Sequence, residues 1–405
     1  MSRSISTLTP ASHFTLFSAT HSFVIGLLPF FLPILIWLQY QELAPLTEFI
    51  AWTGAGFVMA LWGWHQLFIR GYWRTLIILS FALEIGLIYV ALFHIANINL
   101  IILGLLNGLF NCSYWMLQRI LFNSISGASG NGNGNRNRNR NSSNTGRLFG
   151  NLQLILGFSL KLGILFGGYF MQTQPWVILS LSIMAALGFC IMTIKSLATQ
   201  TFVYERSDHI QAKSVISTRD KIVFLVDGPF LYLESYLWVL SIYHLTNSDT
   251  SQFSLTVIAL SLALGLIFYF IKNTIDKQPQ YRLYQVATLL YFCGWLVRGW
   301  ISPDWSSFTI GLGLLSVAFA TALFRLYFNK RFYDKAKQQA NYQYLVSKSL
   351  YSQLGIVMFF TGLTVMSNVT TVSLNYVYWG VLPLIAIYML YQQSSKPISN
   401  NAVLP

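Results

Sequence analysis

Near the middle of long apolar runs of this 405-residue chain stand Glu84, Lys161 and Glu234, and Asp227 lies a third of the way into the run that holds Glu234. A charge in such surroundings costs roughly 2.5–3.5 kcal/mol on insertion scales, so it is retained for a partner or a task. Asp227 and Glu234 lie seven residues apart, which places both on one helix face. Two carboxylates sharing a face away from water tend to keep a proton, as a proton carrier needs. His21, between Thr20 and Ser22, can join such a relay because imidazole takes up a proton near neutral pH. A hydrogen-bonded structural role also accounts for it. Asn107 and Asn111 are one helical turn apart, and Trp115 follows a further turn along the same face. Tyr232 and Trp238 suit a ligand with an apolar or ring-bearing part, and Lys161 suits a substrate charge or a carboxylate. The proton-coupling candidates are therefore Glu234, Asp227 and His21. The substrate-binding candidates are Asn107, Asn111, Trp115, Lys161 and Tyr232.

Bland roles compete with each of these. Glu234 or Glu84 could pair permanently with Lys161 as glue between helices. Arg298, near the end of its run, reads as a snorkelling side chain. Arg119, Arg325 and Lys348, near the basic ends of theirs, read as anchors.

The elements that must position these groups follow from composition. Hydrophobic residues make up 55% of the chain, aromatic residues 16%, and the mean hydropathy is +0.55. Charged residues make up 9%, against about 25% in a soluble chain. That excludes a large soluble domain, and a disordered chain is excluded because it needs low hydrophobicity. Apolar runs recur at about 14–40, 47–69, 75–95, 98–122, 147–171 and 174–195, then at 222–245, 251–272, 281–301, 305–328, 340–366 and 373–391. Each is long enough to cross roughly 30 Å of hydrocarbon as a helix, and too long for a barrel strand. The reading is an all-α membrane protein of twelve transmembrane helices, with a bundle of six over 1–195, a cytoplasmic linker over 196–221 and a second bundle over 222–405.

Of the 25 Lys and Arg residues, all but Lys161, Arg298 and Lys348 fall on one side if both termini are cytoplasmic. The opposite loops hold only acids such as Glu42, Asp249 and Asp304. Basic residues stay on the cytoplasmic side during insertion, so the orientation is set. The net charge of +13 is then a topology and lipid signal rather than a nucleic-acid surface. The loop 123–146 contains the low-complexity run Gly130 to Asn141, alternating Asn with Gly and then Arg, which predicts flexibility. Asn141-Ser142-Ser143 fits a glycosylation sequon on the wrong side of the membrane. Met1 to Ser12 is short and polar and enters the first apolar run without a cleavage site, so no removable signal peptide is expected. Cys112, Cys190 and Cys293 sit in apolar runs without metal or disulfide spacing. No Walker-type loop, metal-ligand cluster or set nucleophile occurs, so neither ATP-driven pumping nor an enzyme is expected.

The chain also repeats itself. Gly63 to Arg70 matches Gly265 to Lys272, Arg119-Ile-Leu-Phe-Asn123 matches Arg325-Leu-Tyr-Phe-Asn329, and Pro29-Phe30 matches Pro229-Phe230. The offsets agree to within a few residues and the depths correspond, which argues for one six-helix unit copied in the same orientation about an axis along the membrane normal.

In these features the chain resembles the major facilitator superfamily over nearly its whole length. Gly63, Gly71 and Arg74 match part of that family's loop signature after the second span, but the Asp that latches the two halves is absent. Gly163-Ile164-Leu-Phe-Gly167-Gly168 is similar to a Gly-Pro-x-x-Gly-Gly element of the family's exporters, with Ile in place of Pro. Plain helix packing accounts for those glycines equally. The resemblance implies a central cavity lined by spans one, four, seven and ten. It implies a monomeric secondary transporter of the cytoplasmic (inner) membrane, without a cofactor, moving a small organic solute by alternating access. Coupling to protons is expected, with export favoured over import. A transport-inactive membrane receptor or assembly scaffold of the same fold stays open as the alternative, motivated by the missing Asp and the Asn/Arg-rich loop.

Overall fold

The computed structural model describes residues 10–128, 142–171, 173–199, 216–275, 280–338 and 341–391. The expectations for Arg3, for the run Gly130 to Asn141, for residues 200–215 of the linker, and for Lys277 and Lys396 lie outside the described residues. No strand occurs among the described residues. The helices are α1 (Pro10–Leu27), α2 (Leu32–Tyr40), α3 (Leu43–Ile69), α4 (Trp73–Phe93), α5 (Leu100–Ala128), α6 (Ser142–Phe170) and α7 (Pro175–Thr199). They continue as α8 (Thr218–Tyr232), α9 (Trp238–Leu245), α10 (Thr250–Ile275), α11 (Gln280–Trp300), α12 (Ser307–Gln338), α13 (Asn341–Val369), α14 (Leu374–Gly380) and α15 (Leu382–Ile385).

Local chemistry explains the breaks. Pro29 cannot donate a backbone hydrogen bond, and the first apolar run bends there by 44° between Leu27 and Pro29. Gln41 ends α2 in the left-handed region at φ 55°, and Gly71 turns the chain into α4 at φ 76°. Ser217 caps α8 by accepting the Asp220 amide at 3.1 Å. Pro229 lies inside that helix, which slips into a π turn over Leu233–Leu237 before resuming as α9. The last run, expected as one helix over 373–391, is broken into α14, α15 and a 3-10 turn over Ala386–Leu390. Pro383 lies at that break and supplies the reason.

Length and apolar composition identify eight helices among the described residues that can cross a membrane, and nine when the bent α1–α2 pair is one span. Leu154–Phe170 and Leu374–Leu390 are apolar but shorter. The helix α11, with Arg282, Gln285 and Arg298, is not among them. Trp62, Ile191 and Phe308 are exposed on helix exteriors, a surface suited to lipid rather than water. The chain is a multi-pass membrane protein.

Within α1–α7, α3 packs on α5, α1 on α6, and α4 on α5 and α7; in the later group α8 packs on α13 and α11 on α12 and α14. The two groups meet where α3 lies on α13 and α6 on α10. Glycines permit the closest crossings. A Cβ on Gly163 would strike the Phe23 carbonyl and Gly26, and one on Gly228 would strike the Ser352 carbonyl. Backbone thus meets backbone, as small residues allow in membranes.

Candidate functional site

The π turn of α8 carries the first functional group. One extra residue in the turn swings the side chains that follow it relative to those before it, a device common at functional sites. Asp227 precedes the turn and Glu234 lies in it. Asp227 is fully buried, and its Oδ1 accepts from Arg325 Nη1 at 2.5 Å and from the Tyr388 hydroxyl at 3.0 Å. Its Oδ2 accepts from Lys348 Nζ at 3.0 Å. Glu234 accepts from Arg325 Nε at 2.9 Å and from the Tyr291 hydroxyl. One guanidinium therefore clamps both carboxylates, and Lys348 supplies a second cation. The side chains of Glu234 and Arg325 remain 13% and 15% accessible, whereas Asp227 is sealed.

This corrects the anchoring role expected for Arg325 and Lys348. Depth reckoned from the ends of apolar runs misplaces them, because α12 has 32 residues and so extends for about 48 Å, well beyond the roughly 30 Å hydrocarbon layer. Arg325 falls inside the bundle, where two buried acids need it. Tyr291 and Tyr388 were also missed. With 22 tyrosines in the chain, residue type alone could not single them out.

A second set of contacts joins α5 to α8. Asn107 Nδ2 donates to the Tyr236 hydroxyl and to Thr53 Oγ1, each at 3.1 Å, and Asn111 Nδ2 donates to the Tyr232 hydroxyl at 3.4 Å. Trp115 Nε1 donates to Asn111 Oδ1 at 3.1 Å. The rings of Tyr232 and Tyr236 stack at 5.0 Å. Asn107, Asn111 and Trp115 line one face of α5, as their spacing predicts, and Tyr232 of α8 bonds to that face, with Tyr236 added one helical turn from it. The same α5 face continues to Arg119, whose Nη1 donates to Ser349 Oγ of α13 at 2.6 Å. Steps of four residues from Asn107 to Arg119 make this a polar column along α5.

The remaining candidates lie elsewhere. His21 is buried among α1, α4 and α5, bonded through Nδ1 to Glu84 Oε2 at 2.6 Å and through Nε2 to Ser80 Oγ at 3.0 Å. Its ring stacks on Phe81 at 3.8 Å. It does not touch Asp227 or Glu234. Lys161 pairs with neither Glu84 nor Glu234; its Nζ lies over the Phe30 ring at 5.8 Å. Each acid is held elsewhere, Glu84 by His21 and Glu234 by Arg325. Arg298 does not snorkel. It is buried against Trp295 at 4.1 Å and Trp238 at 5.2 Å, and donates to Thr321 Oγ1 at 2.7 Å. Aromatic faces stabilise a desolvated guanidinium there, which draws Trp238 away from the α5 column.

The whole backbone can be compared with solved transporter structures. The nucleoside transporter NupG aligns with a TM-score of 0.64 at 10% identity, covering 95% of this chain and 100% of its own. The human organic anion transporter MFSD10 (TETRAN) aligns with a TM-score of 0.56 at 14% identity, covering 94% of this chain and 98% of its own. The chain has the major facilitator fold. No family model and no curated protein sequence matches it. The Asn107–Tyr236 and Asn111–Tyr232 bonds join α5 of the first helix group to α8 and its π turn in the later group.

Proposed function

We propose that the chain is a proton-coupled secondary transporter that moves a small organic solute across the cytoplasmic membrane by alternating access. The observation that carries this reading is the polar contact between α5 and α8, made by side chains alone and standing beside a Glu234–Arg325 pair that keeps a small accessible surface. Side-chain hydrogen bonds can part and reform as two bundles rock, whereas interlocked backbone could not. The two neighbours of the same fold carry a nucleoside and organic anions by their names, which supports transport rather than catalysis.

Glu234 is the proton carrier in this proposal. A proton on Glu234 cancels its attraction for Arg325, frees Nε, and loosens α8 from α12 at the π turn. Asp227, held by three donors, keeps Arg325 and Lys348 in place through the cycle. His21 lies within the first bundle and supports it through Glu84. Both termini face the cytoplasm, as the basic residues favour. The glycine run of α6 favours export over import.

Purified protein in proteoliposomes tests the proposal. Collapsing the proton gradient should abolish net flux, and Glu234→Gln should lose gradient-driven flux while retaining solute exchange. Net flux indifferent to the gradient would remove the coupling. Normal driven flux in Glu234→Gln would remove this carrier.

A further inference from the structure

A groove of about 360 Å³ opens between α3 and α13, where the two helix groups meet. Glu48 of α3 lines it together with Thr361, Thr364 and Asn368 of α13. Trp52, Ala55 and Val357 continue the lining with apolar surface. Glu48 stands in the second turn of α3, and Asn368 is the next-to-last residue of α13, so both lie near the ends of their spans. Glu48 is half-buried and has no hydrogen-bond or ion-pair partner among the described residues. No Lys or Arg occurs in α3. The cation of α13, Lys348, lies in the half of that helix away from Asn368 and bonds to Asp227. The short segments flanking these helix ends, 41–42 and 370–373, add Glu42 and no basic residue. A cationic partner for Glu48 therefore has to come from outside the chain.

Both walls continue along the helical repeat. On α3, Glu48, Trp52 and Ala55 share a face with Met59 and Trp62, which are exposed. On α13, Asn368, Val365 and Thr361 share a face with Met358 and Leu354, also exposed. From Glu48 to Trp62 the face runs for about 21 Å, more than half of a roughly 30 Å hydrocarbon layer. Exposed apolar side chains at that depth suit lipid. A molecule with its charged head in the groove can thus lay a hydrocarbon chain along the same faces.

We propose that this groove binds a membrane lipid whose headgroup carries a primary ammonium. The ammonium has three N–H donors. Glu48 accepts one with its charge, and such charge-assisted bonds are the strong ones. Thr361 and Asn368, which have no side-chain partner among the described residues, supply neutral oxygens. Trp52 adds a ring face to the cation. A trimethylated headgroup has no N–H to give these oxygens, and Glu48 repels a headgroup with net negative charge. Thr364 already donates to Thr47 across the same seam at 2.9 Å. A headgroup held by both Glu48 and Asn368 reinforces that contact. The site stands whether or not the chain moves a solute.

The test titrates delipidated full chain in detergent with dioleoyl phospholipids that differ only in headgroup: ethanolamine, choline and glycerol. Native mass spectrometry reads bound lipid, and the thermal midpoint reads its effect. The ethanolamine lipid should bind about tenfold more tightly than either of the others and raise the midpoint, as hydrogen bonds to a charged group contribute on that scale. Glu48→Gln should remove most of that preference, and Glu48→Asp should recover part of it. Asn368→Leu, at an exposed helix end, should narrow the preference while leaving the lipid-free midpoint in place. Free ethanolamine and phosphoethanolamine, which lack the chains, should not displace the lipid. Displacement by either would assign the groove to a soluble cation and overturn the lipid. Equal binding of the three lipids, or an ethanolamine preference undiminished in both Glu48→Gln and Asn368→Leu, would overturn the site.

Discussion

Arg325 joins two acids that stand about two helical turns apart, one in α8 and one in the π turn that follows it. Its Nε and Nη1 are each committed to a carboxylate, and removal of the guanidinium leaves Glu234 with Tyr291 alone among its side-chain partners. Breaking a buried pair by deleting one member costs about 3–5 kcal/mol, whereas deleting both members costs far less. Arg325→Gln should therefore lower the thermal midpoint in detergent sharply, and Arg325→Gln combined with Glu234→Gln should recover part of the loss. A double variant as unstable as the single would show that the pair does not hold α8 to α12. At this scale the sequence was legible where spacing along one helix decides the outcome. Asp227 and Glu234 share a cation, and Asn107, Asn111 and Trp115 share a column, because the helical repeat fixes them. Partners from other helices were not legible. Nothing in the spacing ties Arg325 to Glu234 or His21 to Glu84, since such pairs depend on how far each helix overruns the membrane and how it is rotated.

Glycine positions show how element packing reads from sequence and where that reading stops. The run Gly163, Gly167, Gly168 was noticed for its spacing, and its first two members do seat α6 on α1: added Cβ atoms there would strike the Phe23 and Leu27 carbonyls. Gly157, on the same helix, meets nothing within 4 Å. The two residues look alike in sequence and differ wholly in consequence. Gly163→Ala should cost about 1–3 kcal/mol through forced separation of the helices, while Gly157→Ala should stabilise by up to about 1 kcal/mol through helix propensity. Denaturation of the two variants in one detergent, followed by tryptophan fluorescence, checks the contrast. Equal effects would mean that α1 and α6 do not need their close approach. Proline breaks were legible in kind and not in outcome. Pro29 bends its span, Pro229 precedes a π turn, and Pro383 divides the last run, so one residue type yields three geometries according to what fills the freed backbone positions.

Across the whole molecule, contacts between the two bundles occur at both ends of the helices. At one end His65 Nδ1 lies 2.5 Å from the Tyr342 hydroxyl, Phe68 stacks on Tyr342 at 4.8 Å, and Phe122 meets Tyr333 at 4.7 Å. Near the other, Trp37 meets His244 at 5.0 Å, and Thr364 donates to Thr47 at 2.9 Å. On the orientation proposed above, the first set is cytoplasmic and the second external. His65 and Phe68 of α3 meet Tyr342 of α13 there in an aromatic and imidazole contact. In the alternating-access cycle proposed above, the bundles would open one set while keeping the other, so each set would act as a gate with its own lock. In a background with Cys112, Cys190 and Cys293 replaced by Ala, His65→Cys with Tyr342→Cys, or Trp37→Cys with His244→Cys, joined by a short reducible thiol cross-linker, should each halt solute counterflow. Reduction should restore it in both. Full counterflow with either lock closed would mean that the solute does not pass between the bundles, because no single pathway through this seam can avoid both gates.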